Sequence, residues 1–175
     1  MPRIDLLSPT PENPETAAMF DEVRARGITV PNLYRVLGHA PGMLRAWLDF
    51  AWPLRLQART PRALRELLIL RGAQRSQVEY EWVHHVPMAL AAGVPQAKVD
   101  ALAAWPESAL FDDAERAVLR LADEVTDGPG ASAECIDALK RHFDEPELVE
   151  LVLTASFYVC VGRVLRSMDV ELEHG

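Results

Sequence analysis

The chain has 175 residues, of which 49% are hydrophobic and 25% are charged, a composition typical of one soluble globular domain. Its net charge of −8 argues against a nucleic-acid-binding protein, because such proteins usually present a basic surface. Residues 1–7 include charged residues and a proline, so no secretory signal is expected, and no apolar run suggests a membrane span. We therefore expect a cytoplasmic protein that contacts neither nucleic acid nor membrane.

The chain is predicted to be all-α, because apolar residues recur at helical spacing and no segment alternates as a strand does. The predicted helices cover about residues 14–26, 32–37, 42–56, 61–74, 77–92, 95–104, 113–127, 133–143 and 145–168. Pro53 is predicted to bend or shorten the third helix. Four side chains are predicted to cap helix starts: Thr60, Ser76, Asp112 and Ser132. Since no linker interrupts the pattern, residues 1–175 are predicted to form one domain.

The fourth and fifth predicted helices are joined by a very short link, residues 74–76. Helices with so short a link are antiparallel neighbours. Glu66 then lies about two turns before the link, and residues 78–85 lie within about two turns after it. The two stretches are therefore expected to face each other.

Ionisable residues in these two helices adjoin the apolar stretch 67–70. Glu81 and His85 are spaced i, i+4 and share one helix face. A carboxylate and an imidazole beside a core cost free energy unless they are paired, bind a ligand or shift their pKa values. We therefore predict that Glu66, Glu81 and His85 are catalytic. Four neighbours are predicted to line a substrate pocket: Val78, Tyr80, Trp82 and His84.

Residues 54–102 resemble the carboxymuconolactone decarboxylase family, which includes alkylhydroperoxidase D-like proteins. In the peroxidase branch, a glutamate on one helix precedes a Cys-x-x-Cys-x-x-x-His element on the next. The upstream glutamate and the histidine correspond to Glu66 and His85, whereas the two cysteines correspond to Val78 and Glu81. Gly93 corresponds to the glycine that ends the motif helix. The flanking segments Pro31-Asn32-Leu33-Tyr34 and Gly162-Arg163 are also similar to family members. The resemblance implies an alkylhydroperoxidase D-like helical bundle that forms a homo-oligomer.

Dithiol peroxidase activity is not expected of this chain. The reaction needs one thiol to attack the peroxide and a second to resolve the sulfenic acid, and neither Val78 nor Glu81 supplies one. Cys135 and Cys160 lie on other predicted helices and fit no metal-binding or redox spacing. We expect both to remain reduced thiols.

The remaining groups favour a cofactor-free acid/base enzyme acting on a small organic acid, by decarboxylation, lactone opening or isomerisation. In this hypothesis His85 is the general base or acid, Glu66 orients it, and Glu81 is the second proton-transfer group. Three arginines on the fourth helix could hold an anionic substrate: Arg62, Arg65 and Arg71.

Two alternatives stay open at this point. In a degenerate, non-catalytic member, Glu81 and His85 would form a buried ion pair, and Glu66 would bond to a backbone group or an arginine. Such a protein would be a small-molecule-binding or structural oligomer. In a metal-assisted enzyme, Glu66, Glu81 and His85 would hold a divalent ion, although their spacing matches no zinc signature. The main hypothesis includes no metal and no cofactor.

Overall fold

A computed structural model describes residues 3–173, and this part of the chain contains nine α-helices, one 3-10 helix and no strand. The α-helices are α1 Pro14–Ala25, α2 Asn32–Leu37, α3 Pro41–Leu56, α4 Arg62–Ser76, α5 Glu79–Ala91, α6 Gln96–Ala101, α7 Asp113–Asp127, α8 Ala133–Leu139 and α9 Glu145–Met168. The 3-10 helix, Leu102–Ala104, follows α6 directly. The all-α prediction is confirmed.

The chain divides into two compact units, residues 1–55 with 164–175, and residues 56–163. In the first unit, Asn13 begins α1 and accepts hydrogen bonds from two backbone amides of the first helical turn, at 3.0 and 3.1 Å. Phe20, Leu44 and Leu48 are its fully buried apolar side chains of largest volume. The prediction that residues 1–175 form one domain remains a prediction.

The second unit is organised around α4, which packs against both α5 and α7. An apolar cluster fills the space around these helices, and it includes Leu67, Leu70, Ala89, Val94, Val99, Leu102, Phe111 and Leu119. Because every one of these residues is buried, the cluster holds α4 and α5 side by side. This packing sets the separation of the side chains that α4 and α5 direct toward each other.

The start of α4 and the link to α5 differ from the prediction. Thr60 does not cap α4; the Glu150 carboxylate instead accepts from the backbone N–H groups of Arg59 and Thr60, at 2.8 and 2.9 Å. Ser76 does not cap α5; it is the last residue of α4, and its hydroxyl donates to the Gly72 carbonyl at 2.6 Å. The link is therefore residues 77–78, and Gln77 takes a left-handed conformation with φ of 54°.

Other local predictions agree with the structure. Asp112 forms the predicted capping box, accepting from the Glu115 backbone while the Glu115 side chain accepts from the Asp112 backbone. Ser132 caps α8, accepting from the Cys135 N–H at 3.1 Å. The exception is Pro53: the prediction that it shortens α3 is wrong, since the helix continues to Leu56, and the bend stays a prediction.

Helix α9 is, among the residues that the structure describes, the one helix long and apolar enough to cross a membrane. The sequence expectation that no run is long enough is therefore wrong on length and composition. Only 44% of the most apolar stretch is buried, but buried residues such as Leu151 and Ala155 show that one face of α9 belongs to the core. The core helix of a soluble protein meets the same length and composition criteria, so they decide nothing about a membrane.

Candidate functional site

The α4–α5 hairpin brings Glu66 and His85 into direct contact. His85 Nδ1 lies 2.7 Å from Glu66 Oε2, and the two residues are 6% and 0% exposed. An ionised carboxylate can only accept hydrogen bonds, so Nδ1 carries the proton of this bond. In the neutral imidazole, Nε2 then has the lone pair and is the atom that can take up a proton.

Glu66 has a second charged partner on its own helix. Arg62, one turn earlier on α4, forms a salt bridge with Glu66 Oε1. Burial by itself would raise the pKa of Glu66, but the hydrogen bond and charge of His85, together with Arg62, hold that pKa below its ordinary value. Glu66 is therefore an ionised carboxylate near neutral pH.

Glu81 differs from Glu66 in both its bonding and its pKa, although it lies one turn from His85 on α5. It is 3% exposed, and its Oε1 has no hydrogen-bond partner. Burial raises the pKa of Glu81 to about 8. The buried Glu81–His85 ion pair of the degenerate alternative is absent from the described residues, because His85 pairs with Glu66. Two carboxyl groups thus differ in protonation state near pH 7.

Helix α9 contributes a residue that the sequence analysis missed. The Tyr158 ring packs edge-on against the His85 ring, with centroids 5.0 Å apart. Tyr158 is buried and lies at core spacing with Leu151 and Ala155 on α9. The sequence offered one sign, a tyrosine on an otherwise apolar helix face. No spacing within the chain, however, indicates that Tyr158 contacts His85.

The four predicted pocket residues lie in two groups. Val78 and Trp82 line an open depression of about 330 Å³ with four residues of the same hairpin: Ala73, Gln74, Gln77 and Glu79. Tyr80 and His84 stack on each other with ring centroids 4.3 Å apart, and His84 Nδ1 lies 2.7 Å from the Tyr80 carbonyl oxygen. The second pair occupies a different face of α5.

The structure separates the three arginines proposed to bind an anion. Arg71 is held by both oxygens of Asp123, at 2.5 and 3.0 Å, and by the Leu102 carbonyl. It therefore has a structural role. Arg65 is buried, and burial followed by the nearby charge of Arg62 lowers its pKa. Two guanidinium groups thus remain on α4 within one turn of Glu66.

Within residues 3–173, no group of three or more histidines, cysteines, aspartates or glutamates is arranged to hold a metal ion. Glu66, Glu81 and His85 do not form such a group, and Glu66 instead forms ion pairs with His85 and Arg62. The ligand set of the metal-assisted alternative is therefore not assembled.

The two thiols are free and chemically unlike each other. Cys135 is buried in α8, and burial raises its pKa to about 11. A thiol with so high a pKa is almost entirely protonated near neutral pH and is a poor nucleophile. Cys160 is exposed on α9.

Residues 41–124 match the model of the carboxymuconolactone decarboxylase family. The matched range contains α4 and α5 completely, and with them Glu66, Glu81 and His85. The predicted family resemblance is confirmed. No protein of curated function matches the chain.

Several solved structures share the fold. An uncharacterized peroxidase-related protein from Ralstonia eutropha JMP134, with an alkylhydroperoxidase AhpD core, has a TM-score of 0.84 and 19% identity, covering 98% of this chain and 92% of that one. A peroxidase-related protein from Silicibacter sp. TM1040 has a TM-score of 0.81 and 19% identity, with the same coverage. A cysteine-to-alanine variant of the debrominase Bmp8, in complex with 2,3,4-tribromopyrrole, has a TM-score of 0.73 and 21% identity, covering 92% of this chain and 84% of that one. At these identities, the comparisons confirm an AhpD-like fold and nothing finer.

Proposed function

Since residues 41–124 match the model of the carboxymuconolactone decarboxylase family, we propose that the chain is a cofactor-free acid/base enzyme acting on a small organic acid. The proposed reaction is a decarboxylation, a lactone opening or an isomerisation. One observation carries the proposal: an ionised Glu66 bonded to His85 lies in the same hairpin as a buried Glu81 whose pKa is about 8. Carboxyl groups whose environments drive their pKa values apart are the usual basis of paired acid and base roles.

In the proposed mechanism, His85 Nε2 removes a proton from the substrate or returns one to it. Glu66 holds the imidazole through Nδ1 and stabilises the imidazolium that forms, because the carboxylate stays ionised. Glu81 donates a proton to the carbon or oxygen atom that becomes negatively charged. Arg62 and Arg65 favour an anionic substrate by their charge.

A fold shared with the debrominase Bmp8 supports chemistry other than peroxide reduction in this architecture. Such a likeness carries no substrate and no site chemistry to this chain. Val78 and Glu81 occupy the positions of the two thiols of the peroxidase branch. We therefore propose that the chain is not a dithiol peroxidase.

The competing proposal is a non-catalytic oligomer that binds a small molecule or serves as a structural component. Burial favours it, because Glu66, Glu81 and His85 are only 0%, 3% and 6% exposed. The unpaired Oε1 of Glu81 favours the enzyme, because a purely structural buried carboxyl group is usually hydrogen-bonded.

The remaining proposals concern surroundings and assembly. We propose a cytoplasmic homo-oligomer whose partner, apart from its own copies, is a small-molecule substrate and neither nucleic acid nor membrane. The exposed apolar side chains of Val149 and Leu153 on α9 support association between copies, because they lie one turn apart on one face. The net charge of −8 supports the exclusion of nucleic acid.

The proposal is tested by a turnover screen of the purified protein against small lactones, β-keto acids and enol acids, with hydroperoxides as a contrasting class. We expect turnover in one of the first three classes and none with hydroperoxides. Absence of turnover throughout the screen would favour the non-catalytic oligomer. Hydroperoxide consumption would overturn the peroxidase exclusion.

A double variant, Cys135→Ala with Cys160→Ser, separates the thiols from the proposed chemistry. We expect its kcat/KM on the substrate found in the screen to equal that of the wild type. The reason is that neither thiol belongs to the Glu66–His85 site and Cys135 is almost entirely protonated. Steady-state kinetics of the two proteins checks this, and a large loss of turnover would assign the chemistry to a thiol.

A further inference from the structure

Helix α9 covers the site face of α5 in a defined register. Tyr158 contacts His85, and four residues later Gly162 contacts Glu81, which lies four residues before His85. The matching four-residue steps in opposite directions show that this part of α9 runs antiparallel to α5. One α9 residue with a large ring thus lies against the imidazole, and one residue without a side chain lies against the carboxyl group.

The contact at Gly162 is too close for a side chain unless Val78 moves. A Cβ atom at this position would lie 3.0 Å from Val78 Cγ2 and 3.4 Å from Glu81 Oε2. The first distance is shorter than ordinary van der Waals contact, and the second is at its lower limit. Glycine is less favourable than alanine inside a helix. At this position it allows the α9 backbone to lie close to Val78 and Glu81. The two residues that it approaches are those at the thiol positions of the peroxidase branch.

We propose that Gly162 is a positioning residue for Glu81: by lacking a side chain, it lets α9 close over the Glu81 carboxyl group and keep it in the hairpin, away from water. The inference deepens the proposed function, since it assigns to α9 the control of the second proton-transfer group. It concerns the state of Glu81 and can be tested without any knowledge of the substrate.

The charged and titratable neighbours do not provide another cause for the state of Glu81. The ionisable groups of the same site are His85 on α5, Glu66, Arg62 and Arg65 on α4, and Tyr158 on α9. The Glu81 pKa departs from its ordinary value through burial, not through any of these groups. Contact with the backbone of α9 at Gly162 is part of that burial. An added methyl group would press on Val78, so α5 and α9 must move apart at this point, and the opening is expected to expose the carboxyl group to water.

The experiment is a 13C NMR titration of protein labelled at the glutamate carboxyl carbons, with Glu81→Gln used to assign the Glu81 signal. We expect the Glu81 midpoint in Gly162→Ala to fall by about one unit or more, a tenfold change in its ionisation constant. Gly72→Ala on α4 is the matched control, because a Cβ there meets its nearest neighbour, Thr126 Oγ1, at an ordinary 3.5 Å. The control is expected to keep the wild-type midpoint.

A second variant tests whether the contact with Val78 is the cause. Gly162→Ala with Val78→Ala removes the tight contact, so α9 is expected to stay in place and Glu81 to keep its wild-type midpoint. An unchanged Glu81 midpoint in folded Gly162→Ala would overturn the inference, as would failure of Gly162→Ala to fold, since the space would then serve helix packing alone. If the midpoint falls while the turnover screen stays negative, Gly162 positions Glu81 in a protein that is not an enzyme of the proposed kind.

Discussion

Between pH 5 and pH 8, the free energy of unfolding of Glu81→Gln is expected to rise by roughly 3–4 kcal/mol relative to that of the wild type. In the folded protein the pKa of Glu81 is about 8, against an ordinary value of 4.5. Between these two values the unfolded chain has released the proton and the folded chain still holds it. Unfolding therefore releases a proton, and the wild type loses stability as pH rises through this window. Glutamine cannot titrate, so the variant lacks this slope.

Urea unfolding of the wild type and the variant at several pH values measures the difference. The buried amide of glutamine carries its own cost, but that cost is independent of pH, so the slope is the diagnostic quantity. Glu79→Gln is the matched control, because Glu79 is exposed on the same helix. It is expected to follow the wild-type slope. Parallel curves for Glu81→Gln and the wild type would show that Glu81 ionises in the folded protein as it does in the unfolded one.

Loss of the imidazole in His85→Ala is expected to lower kcat/KM on the substrate found in the screen by about 10²–10⁴-fold, the usual contribution of a general base. Glu66→Gln is expected to have a comparable effect, because the amide cannot stabilise the imidazolium as the carboxylate does. Since the two residues act as one unit, the double variant is expected to be no worse than His85→Ala alone. Steady-state kinetics of the four proteins measures this.

Folding must be controlled in these variants. Removing one partner of the buried Glu66–His85 pair costs about 3–5 kcal/mol in comparable cases, so the kinetics are measured where far-UV circular dichroism shows the folded state. His142→Ala is the matched histidine control, because His142 is exposed beyond α8. A folded His85→Ala protein with wild-type turnover would remove His85 from the mechanism.

The helices and the Glu66–His85 contact follow from local signals in the sequence. Prolines and glycines mark most helix ends, and the short link between two helices forces them to be antiparallel neighbours. Once α4 and α5 pair, Glu66 and His85 lie on adjoining helices within about three turns of the link. That is why a pattern within about 20 residues was sufficient to bring these two side chains together.

The features that the sequence did not reveal come from distant parts of the chain. The start of α4 is held by Glu150, about 90 residues later, and therefore Thr60 is not needed as a cap. Tyr158 and Gly162 reach the site from α9, and no spacing within one helix indicates which residues of another will touch it. The lack of a hydrogen bond to Glu81 Oε1 could not be predicted either. It depends on whether His85 bonds to Glu81 on its own helix or to Glu66 on α4.

The central claim is that Glu66 is ionised while Glu81 is protonated in the same folded protein at pH 7. Infrared difference spectra against Glu81→Gln and Glu66→Gln test it directly. The wild type minus Glu81→Gln is predicted to show the band of a protonated carboxylic acid, and the wild type minus Glu66→Gln only the bands of an ionised carboxylate. Carboxylate bands from Glu81 at pH 7 would contradict the account, because the site would then hold two bases and no acid.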